Sequence, residues 1–332
     1  TTLIVLMALV WLVSCRPKPL PKSKYVIGGW IADLPDIFIQ KWRPLFEDYL
    51  TESVGKTFSP PVNFQLVPVD YTANSTSEIL IDEGSVDFIY THPIKLVCLE
   101  SSRQFTVIAT QRSLVLGKEA GGYGGTIYSL ASNSAIQNVY DIRNKKVGLG
   151  QFLASGGFAL PYRMLKEDFD FDIFTEAKQL VFYQNDYSRA LFDVMSGAID
   201  VAFTQSGNLE ATHPEMLPYL RIIHQINASF QNEPYPFKTS TQITPTFSLM
   251  AGPAVPWNLR LRVTEALSAI NASHPAAAAA QISHFTVPAS YAISRQSALR
   301  LGIMRDRGAT YDCPDQFVGT YELLNCPDGY IK

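Results

Sequence analysis

The stretch VDFIYTHP, residues 86–93, sets a short apolar run directly before a polar turn and a proline. Residues 86–90 have the length and composition of a buried strand. Apolar residues continue at helical spacing through Cys98, and a proline is tolerated in the first turn of a helix, so a helix is expected to begin near Pro93. Thr91 and His92 therefore lie between the carboxyl end of a strand and the N-terminus of a helix.

Strands and helices alternate outward from this stretch along most of the chain. Further strands are predicted at residues 25–29, 62–66, 105–110, 126–130, 147–149, 180–183, 199–203 and 220–226, and helices at 38–54, 75–82, 154–166, 187–196 and 257–271. Pro44 suits the first turn of its helix, so this helix is expected to start later than Phe38. The alternation indicates an α/β layer fold, with two crossings between lobes near residues 113–127 and 227–242.

The composition indicates a large globular protein and argues against nucleic-acid binding. The chain has 332 residues, of which 47% are hydrophobic and 17% charged. This is more than one compact core usually holds, which favours two lobes. The formal net charge is -3, and lysine and arginine are scattered without a basic stripe, so no nucleic-acid partner is expected.

The first fifteen residues predict export. Residues 2–13 form an apolar run that is short for a membrane span and typical of the core of a secretory signal. Residues 12–15 match a bacterial lipoprotein cleavage box with Cys15 as the lipidated residue; an ordinary signal peptide that ends near a cysteine is the alternative. Residues 16–23, rich in proline and lysine, are expected to be a tether. The predicted location is periplasmic, cell-surface or extracellular, with a lipid anchor or a downstream transmembrane segment.

Cysteines and glycosylation signals are compatible with that location. Cys98 falls in an apolar helical run and is expected to be a buried free thiol. Cys313 and Cys326 each begin a Cys-Pro-Asp sequence in the tail, residues 305–332, and are expected to be oxidised, with each other or within a cysteine-rich module that the tail opens. Three glycosylation sequons, relevant only in a eukaryotic secretory pathway, begin at Asn74, Asn227 and Asn271.

Three blocks of sequence together resemble a known family. They are residues 86–93, residues 141–148 with 155–157, and residues 185–186 with 196–202. In order and spacing they resemble the phosphonate- and phosphite-type substrate-binding proteins of ABC transporters. They are also similar to the related sensor domains in front of some histidine kinases, such as tetrathionate sensors.

The resemblance implies an α/β fold of the type 2 periplasmic-binding-protein kind, in which two lobes are joined by two crossing segments with a ligand cleft between them. Lobe one is expected to comprise residues 24–115 and 240–300, and lobe two residues 116–239. The implied function is capture of a phosphonate, phosphite, phosphate or sulfur oxyanion by lobe closure, without enzymatic activity or a cofactor. The implied partner is a membrane permease or a fused signalling module. An enzyme of the same fold, similar to a thiamine-precursor synthase, and a ligand-free adhesion domain are the alternatives.

The implied binding residues follow the carboxyl ends of strands, where helix N-termini favour an anion. They are Tyr90, Thr91, His92, Gln151, Ser155, Gly156, Gly157, Tyr183, Asn185, Thr204, Gln205 and Ser206. Six of them have a structural interpretation as the alternative: His92 and Ser155 as helix caps, Thr204 and Gln205 as turn residues, Tyr90 and Tyr183 as packing residues. Asp186 is expected to be a helix N-cap.

Other features of the sequence narrow the class of ligand and argue against catalytic and metal sites. The block at Asn185 and Asp186 lacks the histidine that family members binding aminoalkylphosphonates often carry, which favours an anion without an amine. No catalytic set stands out, and the five histidines have no metal-ligand spacing. No metal site is therefore predicted.

Overall fold

The computed structural model describes residues 22–30, 35–69, 80–306, 308 and 311–313. Its strands are β1 (Lys24–Trp30), β2 (Asn63–Val69), β3 (Phe88–Thr91), β4 (Thr106–Val115), β5 (Lys118–Ala120), β6 (Gly122–Tyr123), β7 (Gly125–Leu130), β8 (Lys146–Leu149), β9 (Gln179–Phe182), β10 (Val201–Gln205), β11 (Leu220–Ile223), β12 (Ser229–Phe230), β13 (Glu233–Pro234), β14 (Thr244–Pro245), β15 (Ser248–Ala251), β16 (Ile282–Thr286), β17 (Arg305–Asp306) and β18 (Tyr311–Asp312).

The helices lie between these strands. They are α1 (Pro35–Arg43, continued by the π-helical turn Pro44–Tyr49 and by Leu50–Ser53), α2 (Pro93–Arg103), α3 (Leu160–Asp168, preceded by the π-helical turn Ser155–Ala159), α4 (Ile173–Glu176), α5 (Tyr187–Ser196), α6 (Asn208–Thr212), α7 (Trp257–Ala269), α8 (Pro275–Ala280) and α9 (Ala292–Arg300). Short 3₁₀ turns are formed by Gly55–Thr57, Val139–Ile142 and Pro214–Tyr219.

Two mixed sheets form the centres of the two lobes. The larger has the order β16-β4-β15-β3-β1-β2, with β5 added to β4, and the smaller has the order β11-β7-β10-β8-β9. In the larger sheet β1 runs parallel to β2 and β3, so that the carboxyl ends of β1 and β3 lie side by side. Every residue of β3 is buried, because the strand lies between β1 and β15 and is covered on both faces.

The chain passes between the sheets twice, and the two passages touch. β6 in the first passage pairs antiparallel with β14 in the second, with Tyr123 opposite Thr244. The hydroxyls of Ser206 and Tyr235 lie 2.6 Å apart beside this ribbon. We call residues 121–125 and 239–246 the crossing segments.

The first helix differs from the prediction. It begins at Pro35 and keeps Pro44 in its interior, where a π-helical turn takes over from the α-helix. The wider turn accommodates a residue that has no N–H and whose ring would clash with an α-helical backbone. The expectation that Pro44 marks the start of the helix is wrong for this reason.

A disulfide joins Cys98 of α2 to Cys313, across 215 residues of sequence. The prediction that Cys98 is a free thiol is therefore wrong, and Cys313 is oxidised as expected but with a different partner. Cys326 lies outside the described residues. Because Cys313 follows α9 in the chain, the bond fastens the segment after α9 to α2, a helix of lobe one. Helix α9 itself packs on both α2 and α3.

Several predictions about processing fall on residues that the structure does not describe, among them Cys15, residues 16–21 and Asn74. The sequon residues Asn227 and Asn271 are both exposed. In the part of the chain that the structure describes, no helix has the length and apolar character needed to cross a membrane.

Candidate ligand-binding cleft

A cavity of ≈ 340 Å³ lies between the two lobes, and we call it the first compartment. Lobe one contributes Trp30 from the end of β1, His92 from the end of β3 and Phe247 before β15. Lobe two contributes the loops that follow β8, β9 and β10, and the crossing segments contribute Tyr123. Its described lining is Trp30, His92, Tyr123, Gln151, Leu153, Ala154, Ser155, Gly156, Asn185, Tyr187, Gln205, Asn208 and Phe247.

The lobe-one wall is built from rings. His92 meets Trp30 edge-on, with 5.1 Å between ring centroids, and Phe247 lies 5.5 Å from Trp30. Burial lowers the pKa of His92 from 6.5 to about 4, because the charged imidazolium would lose its hydration there. His92 is therefore neutral at pH 7. Its Nδ1 atom has no hydrogen-bond partner among the described residues.

The lobe-two wall is the start of the helical segment that leads into α3. Ala154 is the N-cap of the π-helical turn, and no side chain caps it. The first N–H groups of a helix have no partner within the helix. The Ser155 hydroxyl is buried and also has no hydrogen-bond partner among the described residues. Ser155 is thus not a helix cap, and it is one of the residues that line the cavity.

Gly156 allows this turn to sit close to the crossing segment. A Cβ atom at this position would lie 2.5 Å from the carbonyl oxygen of Gly124 and 2.9 Å from Gln205 Cα. Both obstacles are backbone atoms, which cannot move aside as a flexible side chain can. Glycine is therefore required for the approach of the Ser155 turn to β10.

Two tyrosines add neutral hydroxyls to the walls. Burial raises the pKa of both Tyr123 and Tyr187 well above the ordinary value of 10.0, so both phenols keep their protons. For Tyr123, burial is the larger effect, and the neighbouring Ser155 hydroxyl offsets only part of the rise in its pKa. The described lining of the first compartment therefore holds donors but no formal charge.

A second cavity of ≈ 280 Å³ adjoins the first, and we call it the second compartment. It shares Trp30, Tyr123, Gln205 and Phe247 with the first, so the two compartments adjoin at these residues, and we refer to them together as the cleft. The remaining described lining is Phe38, Lys41, Trp42, Tyr90, Gln111, Ser113, Leu114, Val115, Ala280 and Gln281.

The sequence matches a described protein family over most of its length. The family model described as "ABC transporter, phosphonate, periplasmic substrate-binding protein" matches residues 29–291. The chain belongs to this family. The predicted membership in the phosphonate-type binding family is thereby confirmed.

One curated relative is a sensor kinase. The chain is 28% identical over 254 residues to the tetrathionate sensor histidine kinase TtrS of Salmonella typhimurium. The match covers 75% of this chain and 39% of TtrS. The chain thus spans about two fifths of the length of that relative.

Solved structures share the fold of this phosphonate-type binding protein. XAC2383 from Xanthomonas citri, bound to ATP, has a TM-score of 0.59 at 16% identity over 84% of this chain and 96% of its own. PhnD1 from Prochlorococcus marinus, in complex with methylphosphonate, has a TM-score of 0.57 at 14% identity over 84% and 98%. At these identities the likeness shows the fold alone, and it confirms the predicted two-lobed architecture.

The structure gathers part of the predicted site in the cleft of this family member. The predicted residues that line one of the two compartments are Tyr90, His92, Gln151, Ser155, Gly156, Asn185 and Gln205. Strand β10 extends to Gln205, so Gln205 stands at its end and Thr204 remains inside the strand. Asp186, predicted as a helix cap, accepts a hydrogen bond from the Arg189 N–H at 3.0 Å and caps α5.

The other predicted residues lie outside the described linings. Tyr183 is buried within lobe two and donates to Asp193 at 2.5 Å. Ser206 accepts a hydrogen bond from the Gly124 N–H at 2.7 Å, so its hydroxyl serves the crossing segment. Thr91, Gly157 and Thr204 are buried beside the cleft without lining either cavity. The Thr91 hydroxyl has no hydrogen-bond partner among the described residues.

Sequence reasoning missed several residues of the cleft. They are Trp30, Tyr123, Tyr187, Asn208 and Phe247 in the first compartment, and Lys41 and Trp42 in the second. Trp30 directly follows the predicted strand at residues 25–29, and the rule that ligands lie beyond the carboxyl ends of strands would have found it. Phe247 and Tyr123 carry no comparable local signal, because they reach the cleft only through the pairing of β6 with β14.

Proposed function

We propose that this chain captures a small oxyanion of phosphorus or sulfur in the cleft, outside the cytoplasm, by closure of the two lobes. The observation that carries the proposal is the pair of buried, unpartnered polar atoms on opposite walls, His92 Nδ1 and Ser155 Oγ. Burying a polar group without a partner is unfavourable by about 1–3 kcal/mol. Such groups on both walls of one cavity are expected where a ligand supplies the partner.

The lining favours an anion over other small ligands. The described first compartment contains no carboxylate, so a ligand amine would have no counter-ion there. Neutral N–H and O–H donors suit an enclosed anion, because hydrogen bonds to charged groups are worth about 1.5–3 kcal/mol each. The N-terminal end of the helical segment from Ser155 into α3 adds a favourable dipole.

Binding serves either uptake or sensing in this proposal. PhnD1, which shares the fold, is bound to methylphosphonate, and TtrS is by its name a tetrathionate sensor. A membrane permease is the partner in the first case and a signalling module in the second. No described cluster of three or more histidine, cysteine or acidic side chains is arranged to hold a metal ion, and the proposed binding step uses none.

Isothermal titration calorimetry with phosphate, phosphite, methylphosphonate, sulfate, thiosulfate and tetrathionate tests the proposal. We expect at least one of them to bind, and Ser155→Ala to weaken that binding by roughly ten- to a hundredfold. Small-angle scattering of the same samples should show a smaller radius of gyration with the bound anion.

Two control variants should bind as tightly as the parent protein. Ser196→Ala makes the same change at an exposed position at the end of α5. Asp87→Asn changes a carboxylate that lies off the cleft, where it accepts from Lys22 Nζ at 2.7 Å and from the Val26 N–H at 3.0 Å. Binding of none of the six anions, or unchanged affinity in Ser155→Ala, contradicts the proposal.

A further inference from the structure

One end of lobe one carries an exposed apolar surface. Trp257, the first residue of α7, is 76% exposed, and Leu261, one turn further along the same face, is 45% exposed. Pro253 and Ala254 are exposed directly before this helix. We call Pro253, Ala254, Trp257 and Leu261 the apolar strip. Adjacent exposed apolar side chains, unlike single ones, are typical of a contact with a membrane or with another protein.

The apolar strip lies at the end of lobe one that is remote from the cleft. Strands β1 and β3 run parallel, and their carboxyl ends lead into the first compartment. Strand β15 runs antiparallel to β3, so that Ser248 lies opposite Thr91 and Ala251 opposite Phe88, the first residue of β3. The chain therefore leaves β15 for the strip at the amino ends of β1 and β3. A partner seated on the strip leaves the cleft open.

The N-terminal segment enters lobe one beside the strip. Lys22 lines a surface pocket of ≈ 260 Å³ together with Pro253 and Ala254. Its ammonium group pairs with Asp87 Oδ1 at 2.7 Å, and the Asp87 carbonyl oxygen accepts from the Gly252 N–H at 2.8 Å. The entry of the chain and the apolar strip therefore share one end of the lobe.

The short sequence before Lys22 limits how far this end can lie from the apolar run at residues 2–13. Lys22 follows Val13 by nine positions. An extended chain spans at most about 3.6 Å per residue, so the two residues lie within about 32 Å of each other. A globular protein of 332 residues has a radius of gyration of about 20 Å and hence a diameter of about 50 Å. With the apolar run held in a membrane, the connection is too short for the opposite side of the molecule to rest on that membrane.

Basic residues accompany the entry point. Residues 16–24 contain four basic and no acidic residues. Arg262 follows Leu261 on α7, with its side chain 61% exposed and paired with Glu265 at 3.2 Å. Basic residues are attracted to anionic lipid headgroups, and tryptophan is enriched at the membrane–water interface. The combination favours a lipid surface over a second copy of the chain, because a two-fold contact across the strip would bring two basic segments together.

We propose that the apolar strip is a membrane-contact surface, by which lobe one rests on the extracytoplasmic face of a lipid bilayer with the cleft turned away from it. The apolar run at residues 2–13 holds the chain at the bilayer, and the indole of Trp257 lies at the level of the headgroups. The arrangement does not depend on which ligand the cleft binds.

Tryptophan fluorescence of the full chain reconstituted into vesicles tests the proposal. The vesicles contain phosphatidylethanolamine and phosphatidylglycerol, either unmodified or with brominated acyl chains, which quench a tryptophan at the bilayer surface. The difference between the parent and Trp257→Phe isolates the emission of Trp257, because the other tryptophans are common to both proteins. We expect brominated lipid to remove most of this emission.

The matched control places a tryptophan on lobe two. Tyr219 is 59% exposed and lies next to the pairing of Leu220 with Leu130, at the end of β7 away from the crossing segments. Tyr219→Trp in the Trp257→Phe background adds an emission at that position. We expect this emission to be the same in brominated and unmodified vesicles.

Four outcomes overturn the proposal. Emission of Trp257 that survives in brominated vesicles means that the strip faces away from the bilayer. Equal quenching at positions 257 and 219 means that the protein has no preferred orientation. A chain that does not sediment with the vesicles is not held at a membrane. Self-association in detergent solution that Trp257→Ser removes assigns the strip to a second copy of the chain. None of these outcomes bears on the proposed function, because the experiment uses no ligand.

Discussion

In the crossing segments, the buried hydroxyls of Ser240 and Thr241 both donate and accept hydrogen bonds, whereas the buried hydroxyl of Ser155 in the cleft has no partner among the described residues. Ser240 Oγ accepts from the Ile127 N–H at 2.9 Å and donates to the Ile223 carbonyl oxygen at 2.7 Å. Thr241 Oγ1 likewise accepts from the Gly125 N–H at 2.8 Å and donates to the Gln242 carbonyl oxygen at 2.9 Å. These hydroxyls fix the second crossing segment to the strands of lobe two.

The cleft presents the opposite case at similar burial. Ser155 is 3% exposed and Ser240 is 0% exposed, yet of the two only Ser240 has a side-chain partner among the described residues. Absence of a partner is not by itself a mark of a ligand site, because the hydroxyls of Tyr128 and Ser129 inside lobe two also lack a partner among the residues that the structure describes. The combination of an unpartnered donor and a cavity wall is what distinguishes Ser155.

The difference separates two roles for one chemical group. A hydroxyl that satisfies backbone groups stabilises the fold, and its removal leaves those groups buried without partners. A buried hydroxyl on a cavity wall that has no partner within the protein is unfavourable until water or a ligand satisfies it. Removal of a hydroxyl in the crossing segments should therefore reduce stability more than ligand affinity. Removal of the Ser155 hydroxyl in the cleft should reduce ligand affinity more than stability.

The largest effect is expected for Ser240→Ala. It leaves the Ile127 N–H and the Ile223 carbonyl without their partner, and each unsatisfied buried group costs about 1–3 kcal/mol. The free energy of unfolding should fall by roughly 2–4 kcal/mol, measured by urea denaturation followed by circular dichroism.

Ser196→Ala serves as the reference for this variant, since the Ser196 side chain is exposed and bonds only to the carbonyl of Asp193 within its own helix. It should stay within about 0.5 kcal/mol of the parent. A Ser240→Ala protein as stable as the reference would mean that the backbone groups find other partners, and the contrast with the cleft would disappear.

A smaller effect is expected from pH acting on His92. In the unfolded chain a histidine has a pKa near 6.5, whereas His92 in the fold has a pKa of about 4. Between these values the unfolded state binds more protons than the folded state, so stability falls as the pH falls. From pH 7 to pH 5 the loss due to His92 alone should be about 2 kcal/mol.

The contribution of His92 is isolated by comparison with His92→Gln, which has no titrating group at this position. Denaturant unfolding of both proteins at several pH values gives two profiles, and their difference is the quantity of interest. The parent should lose more stability than His92→Gln over this range. Parallel profiles would show that folding does not lower the pKa of His92, which would mean that its imidazole is hydrated in the folded protein.

Local signals in the sequence were sufficient for many elements and for part of the cleft. The helix at residues 187–196 was predicted with the observed bounds, because Asp186 caps its start and Gly197, with φ of 76°, ends it. The loops after β8 and β10 were placed in the cleft because ligands bind beyond the carboxyl ends of strands. Residue type alone did not separate Ser155, which faces the cavity, from Ser206, which bonds to Gly124.

The features that were missed depend on contacts between distant segments. Cys98 pairs with Cys313 across 215 residues, and nothing near Cys98 indicates a partner so far away. Tyr123 and Phe247 reach the cleft through the pairing of β6 with β14. Side-chain direction also escaped prediction: Tyr183 follows β9, but its phenol points back into lobe two toward Asp193.

The smallest effect on stability is expected for Ser155→Ala, which is the direct counterpart of Ser240→Ala. The Ser155 hydroxyl has no hydrogen-bond partner in the part of the chain that the structure describes, so its removal leaves no described backbone donor or acceptor unpaired. The loss of packing from one oxygen atom is offset by the loss of an unfavourably buried polar group. Without an anion, the free energy of unfolding should therefore remain within about 0.5 kcal/mol of the parent or rise slightly.

With a saturating anion from the binding panel, the parent should gain more stability than Ser155→Ala, because stabilisation by a ligand increases with its affinity. Urea denaturation with and without the anion measures both quantities in one experiment. A Ser155→Ala protein that is strongly destabilised without the anion would place the hydroxyl with Ser240, as part of the scaffold.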